Sequence, residues 1–220
     1  MPLDQQQITS LQAAIDGYAF PTVYFDFTNQ REIIVASIRE LEPVFLQMLL
    51  SEDPIYVKHG LANVIYWGNA NAGYQIHRTN QFMDNVEHEG LERFQAMVMD
   101  GAVPTLSQIK DLKLPQYSGI SFISKVLAFL DPSNYCVLDL LLSRMGSEQN
   151  DLAISRLNVT TQIGVTQRNS NAYTAWCGEC SRISSYYYGG HYRVVDVERG
   201  FFHLIQTDRL DLAIAIYESA

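Results

Sequence analysis

The chain contains no apolar run approaching the roughly 20 residues a bilayer-crossing helix needs. Its first residues, MPLDQQQITSLQ, carry neither a basic stretch nor an apolar core, so no secretory signal is expected there. Cysteine is scarce: Cys136, Cys177 and Cys180 are the only three. That odd, low number excludes a disulfide framework and a four-cysteine iron–sulfur site, and it fits a reducing, cytoplasmic setting. Positive charge is also short, with 15 Lys and Arg against 24 Asp and Glu and a net charge of −9. Non-specific coating of nucleic acid is thereby disfavoured, because neutralising phosphates takes an excess of cations. No internal repeat or low-complexity segment occurs.

What is present is a 220-residue chain that is 47 % apolar. This fits one domain over residues 1–220, with two helical lobes compatible and a cleft near residues 105–145. The periodicity predicts a mostly α protein built of many short helices. A helix is expected from Asn29-Gln30 to about Leu50, where Ile33, Ile34, Ile38, Leu41, Phe45 and Met48 recur at helical spacing. Asp53-Pro54 marks the next helix start. Further helices are expected over 55–67, 75–86, 88–100, 105–113, 119–130 and 139–146. Residues 147–170 lack a strong period and read as a loose excursion. Helices resume at about 171–185, 194–205 and 208–218, while residues 20–28 suit a short strand or an extended arm.

Charge is unevenly spread. Residues 1–60 hold eight acids and three bases, whereas residues 105–145 hold four bases and three acids. That second stretch is the most informative. Two helical patterns meet there through Leu114-Pro115-Gln116-Tyr117-Ser118-Gly119. So tight a connection presents backbone N–H groups at the start of the next helix, where the dipole also favours an anion such as a phosphate. An ordinary helical corner has the same spacing. In the following helix Phe122, Ile123, Val126, Leu127, Phe129 and Leu130 fill most of the circumference. Ser118, Ser121, Lys125, Ala128 and Pro132 share the remaining narrow stripe. Lys125 can point into a cleft and serve as a nucleophilic amine, or it can snorkel to water. Fourteen residues later, Asp139 opens the next pattern. As a helix cap it would be an oriented carboxylate, so the structural and chemical readings are compatible.

Other candidates are weaker. Cys177-Gly-Glu-Cys180 has no second pair for zinc and reads as structural. Tyr186-Tyr-Tyr-Gly-Gly-His-Tyr192 can stack a base or simply pack. Trp67, Tyr74, His77 and Arg78 flank the loop at 68–73 and can line a pocket or contact phosphate. Arg193, Asp196, Glu198 and Arg199 suit a structural ion-pair network.

The order hairpin, lysine helix, then aspartate at a helix start resembles the helix-hairpin-helix DNA glycosylases. Ser124-Lys125-Val-Leu-Ala-Phe-Leu-Asp-Pro followed by Tyr135-Cys-Val-Leu-Asp139 is most similar to bacterial proteins of the 8-oxoguanine DNA glycosylase (OGG) fold. A second stretch, Tyr192-Arg-Val-Val-Asp-Val-Glu-Arg-Gly-Phe-Phe202, is similar to their Arg-x-x-Asp-x-Glu-x-x-x-Phe pattern. Counted over residues 105–145 and 192–202, the two cover about a quarter of the chain. The resemblance implies a helix-hairpin-helix, multi-helix fold and an N-glycosylase that flips a modified purine such as 8-oxoguanine out of DNA, a step of base excision repair. Lys125 would attack C1′ as the nucleophile, with possible lyase chemistry through a Schiff base. Asp139 would steady the cationic sugar. Gln116, Tyr117, Ser118, Gly119, Ser121, His77 and Arg78 would contact nucleic acid. No metal and no organic cofactor is implied.

Two departures stand out. The usual hairpin is Leu-Pro-Gly-x-Gly, but Gln116 replaces its first glycine and the second is displaced. Strictly counted, Ile120 or Ser121 occupies the position of the usual lysine. The second reading is therefore a catalytically silent module on the same fold, binding a base, a nucleotide or a protein partner, as within a defence system.

Overall fold

The computed structural model describes residues 2–99 and 101–220. The fold is mostly α, with ten α-helices among the described residues and one two-stranded antiparallel sheet. The chain opens with α1 (Gln5–Asp16), β1 (Val23–Asp26) and β2 (Arg31–Ile34). Then come α2 (Ile38–Leu49), α3 (Pro54–Gly68), α4 (Gln75–Asn85), α5 (His88–Met99), α6 (Leu106–Asp111) and α7 (Ile120–Leu130). Single 3-10 turns at Leu142–Met145 and Ile154–Arg156 lead to α8 (Gln167–Tyr188), α9 (Val194–Gln206) and α10 (Leu210–Ser219). Among the described residues, no helix is long and apolar enough to cross a membrane.

Two compact units divide the chain. Phe20–Leu130 forms one, here the central unit; the N-terminal residues through Ala19 join Asp131–Ala220 in the other, the terminal unit. The stretch from 105 to 145 is therefore shared between them, with Lys125 in the central unit and Asp139 in the terminal one.

In the central unit α3 is the axis. It packs against α2, α4, α5, α7 and β1, and Val57, Leu61, Val64 and Ile65 are all fully buried. Its start arises from local chemistry: the Asp53 carboxylate accepts the Ile55 N–H at 2.8 Å, and Pro54 occupies the first turn, where its missing N–H costs nothing. Thr105 and Gln108 open α6 with a reciprocal capping box.

The helix expected from Asn29 begins only at Ile38. Residues before it form a β-hairpin, in the register Val23↔Ile34, Tyr24↔Ile33, Phe25↔Glu32 and Asp26↔Arg31. The Asp26 carboxylate accepts the N–H groups of Thr28 and Asn29 and so closes the turn, while Gln30 takes a φ of +52°. Ile33 and Ile34 satisfy a helical period with Ile38 and Leu41, but they are β-branched and pair as strand. A clip on the other edge holds the strand in place. The buried Asn63 amide accepts from Phe25 N–H (2.7 Å) and donates to Phe25 C=O (3.1 Å), as a neighbouring strand would.

In the terminal unit α9 packs against α1, α8 and α10. Its aromatic centre is Trp176, Phe201 and Tyr217, with ring centroids 5.4–5.9 Å apart. Gly200 allows the close approach of α1: a Cβ there would lie 2.6 Å from Ile15 Cγ1 and 3.0 Å from Leu11 Cδ1. The expected helix at 139–146 is only the 3-10 turn Leu142–Met145, and α8 begins earlier and runs later than its periodicity suggests.

Candidate functional site

The connection between α6 and α7 is a tight turn of definite type. Leu114 C=O accepts the Tyr117 N–H at 3.1 Å, with Pro115 and Gln116 between them. Gln116 has a φ of +70°. Proline at the second position and a left-handed third position make a type II turn, whose third position favours glycine. The departure from the Leu-Pro-Gly pattern thus falls on a residue whose backbone suits glycine, as does that of nearby Lys113 with a φ of +55°. Gln116 Nε2 also donates to Gln81 Oε1 of α4 at 3.1 Å.

Hairpin residues divide by burial. Leu114 is in the core. Tyr117 is fully buried, and its hydroxyl donates to Leu61 C=O of α3 at 2.6 Å. Burial pushes its phenol well above the ordinary range. Its side chain is therefore part of the core and cannot reach a nucleic acid. Ser118 is exposed, and Gln116, Gly119 and Ser121 are partly exposed. His77 is exposed on α4, while Arg78 is partly exposed and its guanidinium lies 4.5 Å from the Tyr74 ring centre. Trp67 is no surface residue: it sits edge-on between Phe20 and Phe129, with centroids 5.1 and 5.0 Å away.

Lys125 does not snorkel to open water. Its residue is only 7 % exposed. Nζ donates to Ser121 C=O one turn back at 3.1 Å and lies 5.3 Å from the centre of the Phe122 ring. The lysine stem has room because residue 68 of α3 is glycine. A Cβ there would lie 3.0 Å from Lys125 Cδ and 3.1 Å from Cε.

The terminal unit presents Asp139 on a heavily anchored loop. Tyr173 donates its hydroxyl to Cys136 C=O at 2.9 Å, and Trp176 donates its indole N–H to Val137 C=O at 3.0 Å. The Val137 N–H donates to Glu198 Oε2 of α9 at 3.4 Å, and the Val195 N–H donates to Pro132 C=O at 3.2 Å. Asp139 then caps the next turn of chain: Oδ1 accepts the N–H groups of Leu141 (3.0 Å) and Leu142 (3.1 Å). The carboxylate is oriented by its own chain. Beside this loop, the Asp196 carboxylate accepts the Arg193 N–H at the start of α9 and pairs with the Arg193 guanidinium at 2.9 Å, and Arg199 reaches the same carboxylate at 3.5 Å. These charged side chains form a structural network.

Cys136 and Cys177 lie in the core with sulfurs 3.7 Å apart. The hydrogen bond from Cys136, then burial, pushes the Cys177 thiol far up, and burial raises Cys180 to about 11. Such thiols are poor nucleophiles. Among the described residues no group of three or more His, Cys, Asp or Glu could hold a metal ion. The tyrosines near 186–192 serve α1. Tyr187 accepts the Leu3 N–H, Tyr188 donates to Ile8 C=O, and Tyr192 donates to the Asp16 carboxylate.

No protein-family model matches this chain, and neither a curated protein nor a solved structure does.

Proposed function

We propose that this protein is an N-glycosylase that removes a modified purine, such as 8-oxoguanine, from DNA. The observation that carries this reading is the hydrogen bond from Val137 N–H to Glu198. It joins the two separate sequence stretches on which the resemblance to the OGG-type helix-hairpin-helix proteins rests, and it steadies the loop that presents Asp139. The type II turn at Leu114–Tyr117 supports it, because the glycine-favouring backbone persists where the glycine does not.

In this reading the Lys125 amine, once deprotonated, forms a bond to C1′ as the N-glycosidic bond breaks. The departing base keeps the bonding electrons and takes up a proton. Asp139 steadies the positive charge that develops on the sugar. Opening of the sugar ring gives an imine, from which elimination can cleave the strand on the 3′ side. Borohydride tests it directly by reducing the imine to a stable protein–DNA bond. Oligonucleotides carrying 8-oxoguanine and related lesions should be trapped by the parent protein and not by Lys125→Ala.

One observation favours a second reading, a catalytically silent binding module. A carbonyl acceptor and an aromatic ring face, the surroundings of Nζ, are partners that hold an ammonium. Absence of trapping across the lesion panel, with binding unchanged in Lys125→Ala, would favour the module.

A further inference from the structure

We propose that the cleft bounded by the β1–β2 turn, α2 and α3 binds a neutral planar heteroaromatic ring of nucleobase size. The cleft lies wholly within the central unit, its lining includes neither Lys125 nor Asp139, and it does not rest on the glycosylase reading. Its volume is about 380 Å³. Small-molecule sites span roughly 300–1,000 Å³, so this one suits a single ring system rather than a dinucleotide.

Aromatic side chains form its walls. Phe27 and His59 stack at 4.9 Å with ring planes 27° apart. Tyr56, 43 % exposed, stands 6.2 Å from His59, and Tyr24 lines the cleft from β1. Burial, and then the charge of Lys58, lowers the affinity of His59 for a second proton and so favours the neutral imidazole. A neutral imidazole offers one donor and one acceptor.

Polar groups around the cleft are uncommitted. Among the described residues, the Gln47 amide and the hydroxyls of Tyr24 and Tyr56 make no hydrogen bond to the protein. Elsewhere the partly or fully buried tyrosines Tyr66, Tyr117 and Tyr173 direct their hydroxyls to internal partners. The one carboxylate in the lining is engaged. Asp26 accepts the N–H groups of Thr28 and Asn29 and the Asn29 side-chain amide at 2.7 Å, with Arg31 Nε 3.9 Å away. The cleft therefore offers ring faces and neutral donors and acceptors, with no cation among the described residues of its lining for a phosphate and with its one carboxylate, Asp26, turned to its own turn and to Arg31. That combination suits a nucleobase, which stacks through its faces and hydrogen-bonds through its edge.

The test is a titration of the full-length protein with adenosine, guanosine, cytidine and uridine, followed by calorimetry and ligand-observed NMR. At least one nucleoside should bind. Tyr56→Ala should weaken it about tenfold, the scale of one base–aromatic stack, without changing thermal unfolding. Gln47→Ala, on the surface of α2, should weaken it several-fold, and it decides the matter should Tyr56→Ala fail to fold. Lys125→Ala should bind as the parent does, which separates this site from any base pocket at Lys125. Binding of none of the four, retention of full affinity in the folded cleft variants, loss of binding in Lys125→Ala, or preference for tetramethylammonium would each overturn the proposal.

Discussion

At Gln116 the usual ranking of glycine and alanine should invert. In ordinary helical or extended backbone, glycine is the less stable of the two by about 0.5–1 kcal/mol, because the unfolded chain has more freedom to lose. Gln116 instead has a φ of +70° at the third position of a type II turn. There an L-residue bears a cost of about 1–2 kcal/mol from the clash of its Cβ with the neighbouring carbonyl, and glycine does not. Alanine and glycine both delete the Gln116–Gln81 side-chain bond, so its loss cancels between them. The remaining difference is relief of strain less the entropy of glycine, a net advantage for Gln116→Gly over Gln116→Ala of about 0.5–1 kcal/mol. In a chain of this size that is a difference of roughly 1–4 °C in Tm. Urea unfolding of the two variants, monitored by circular dichroism and with equal slopes, measures it directly. An alanine variant as stable as the glycine variant, or more so, would refute the assignment of a type II turn with Gln116 at its third position.

Two further predictions concern the contacts that hold each unit together. Tyr117→Phe removes the hydroxyl that gives Leu61 C=O a second hydrogen bond beside its own helical one, inside the central unit. Loss of one buried hydrogen bond whose acceptor keeps another partner costs about 0.5–1.5 kcal/mol, which denaturant titration should report; an unchanged midpoint would refute the bond. Gly200→Ala places a methyl group 2.6 Å from Ile15 Cγ1. Overpacking between α9 and α1 should destabilise by about 1–3 kcal/mol, and faster proteolysis of the α1 segment would register it; an unchanged cleavage pattern would refute that packing.

The parts of the fold legible in the sequence are those decided by neighbours a few residues apart. Asp53-Pro54 and the periodic runs of α3 to α7 are of this kind, since caps and helical stripes are local chemistry. The hairpin is not legible from periodicity. Ile33, Ile34, Ile38 and Leu41 fit a helix as well as a strand, and one of the contacts that hold the hairpin comes from Asn63, which grips Phe25 from 38 positions away. Helix α1 is a different case. Asp4 and Gln7 form a reciprocal capping box, a local signal of helix start, but the short polar run between them has no apolar stripe strong enough to single it out.

The candidate site divides along the same line. Asp139 as a cap is legible, because a cap is made by the next two N–H groups. Lys125 is legible as an exception within an apolar helix, but its burial is not. That depends on residue 68 being glycine, since any Cβ there would crowd the lysine stem. The anchoring of the Tyr135–Asp139 loop is legible only as two patches of likeness with no stated connection. Its cause is Glu198, whose carboxylate holds Val137 N–H from 61 residues away. A buried carboxylate is costly unless it is hydrogen-bonded, and the Val137 N–H is one of the donors that satisfy Glu198. Asp139 lies two residues beyond Val137, so the bond that satisfies Glu198, with those of Tyr173 and Trp176, also fixes the backbone that leads to its carboxylate.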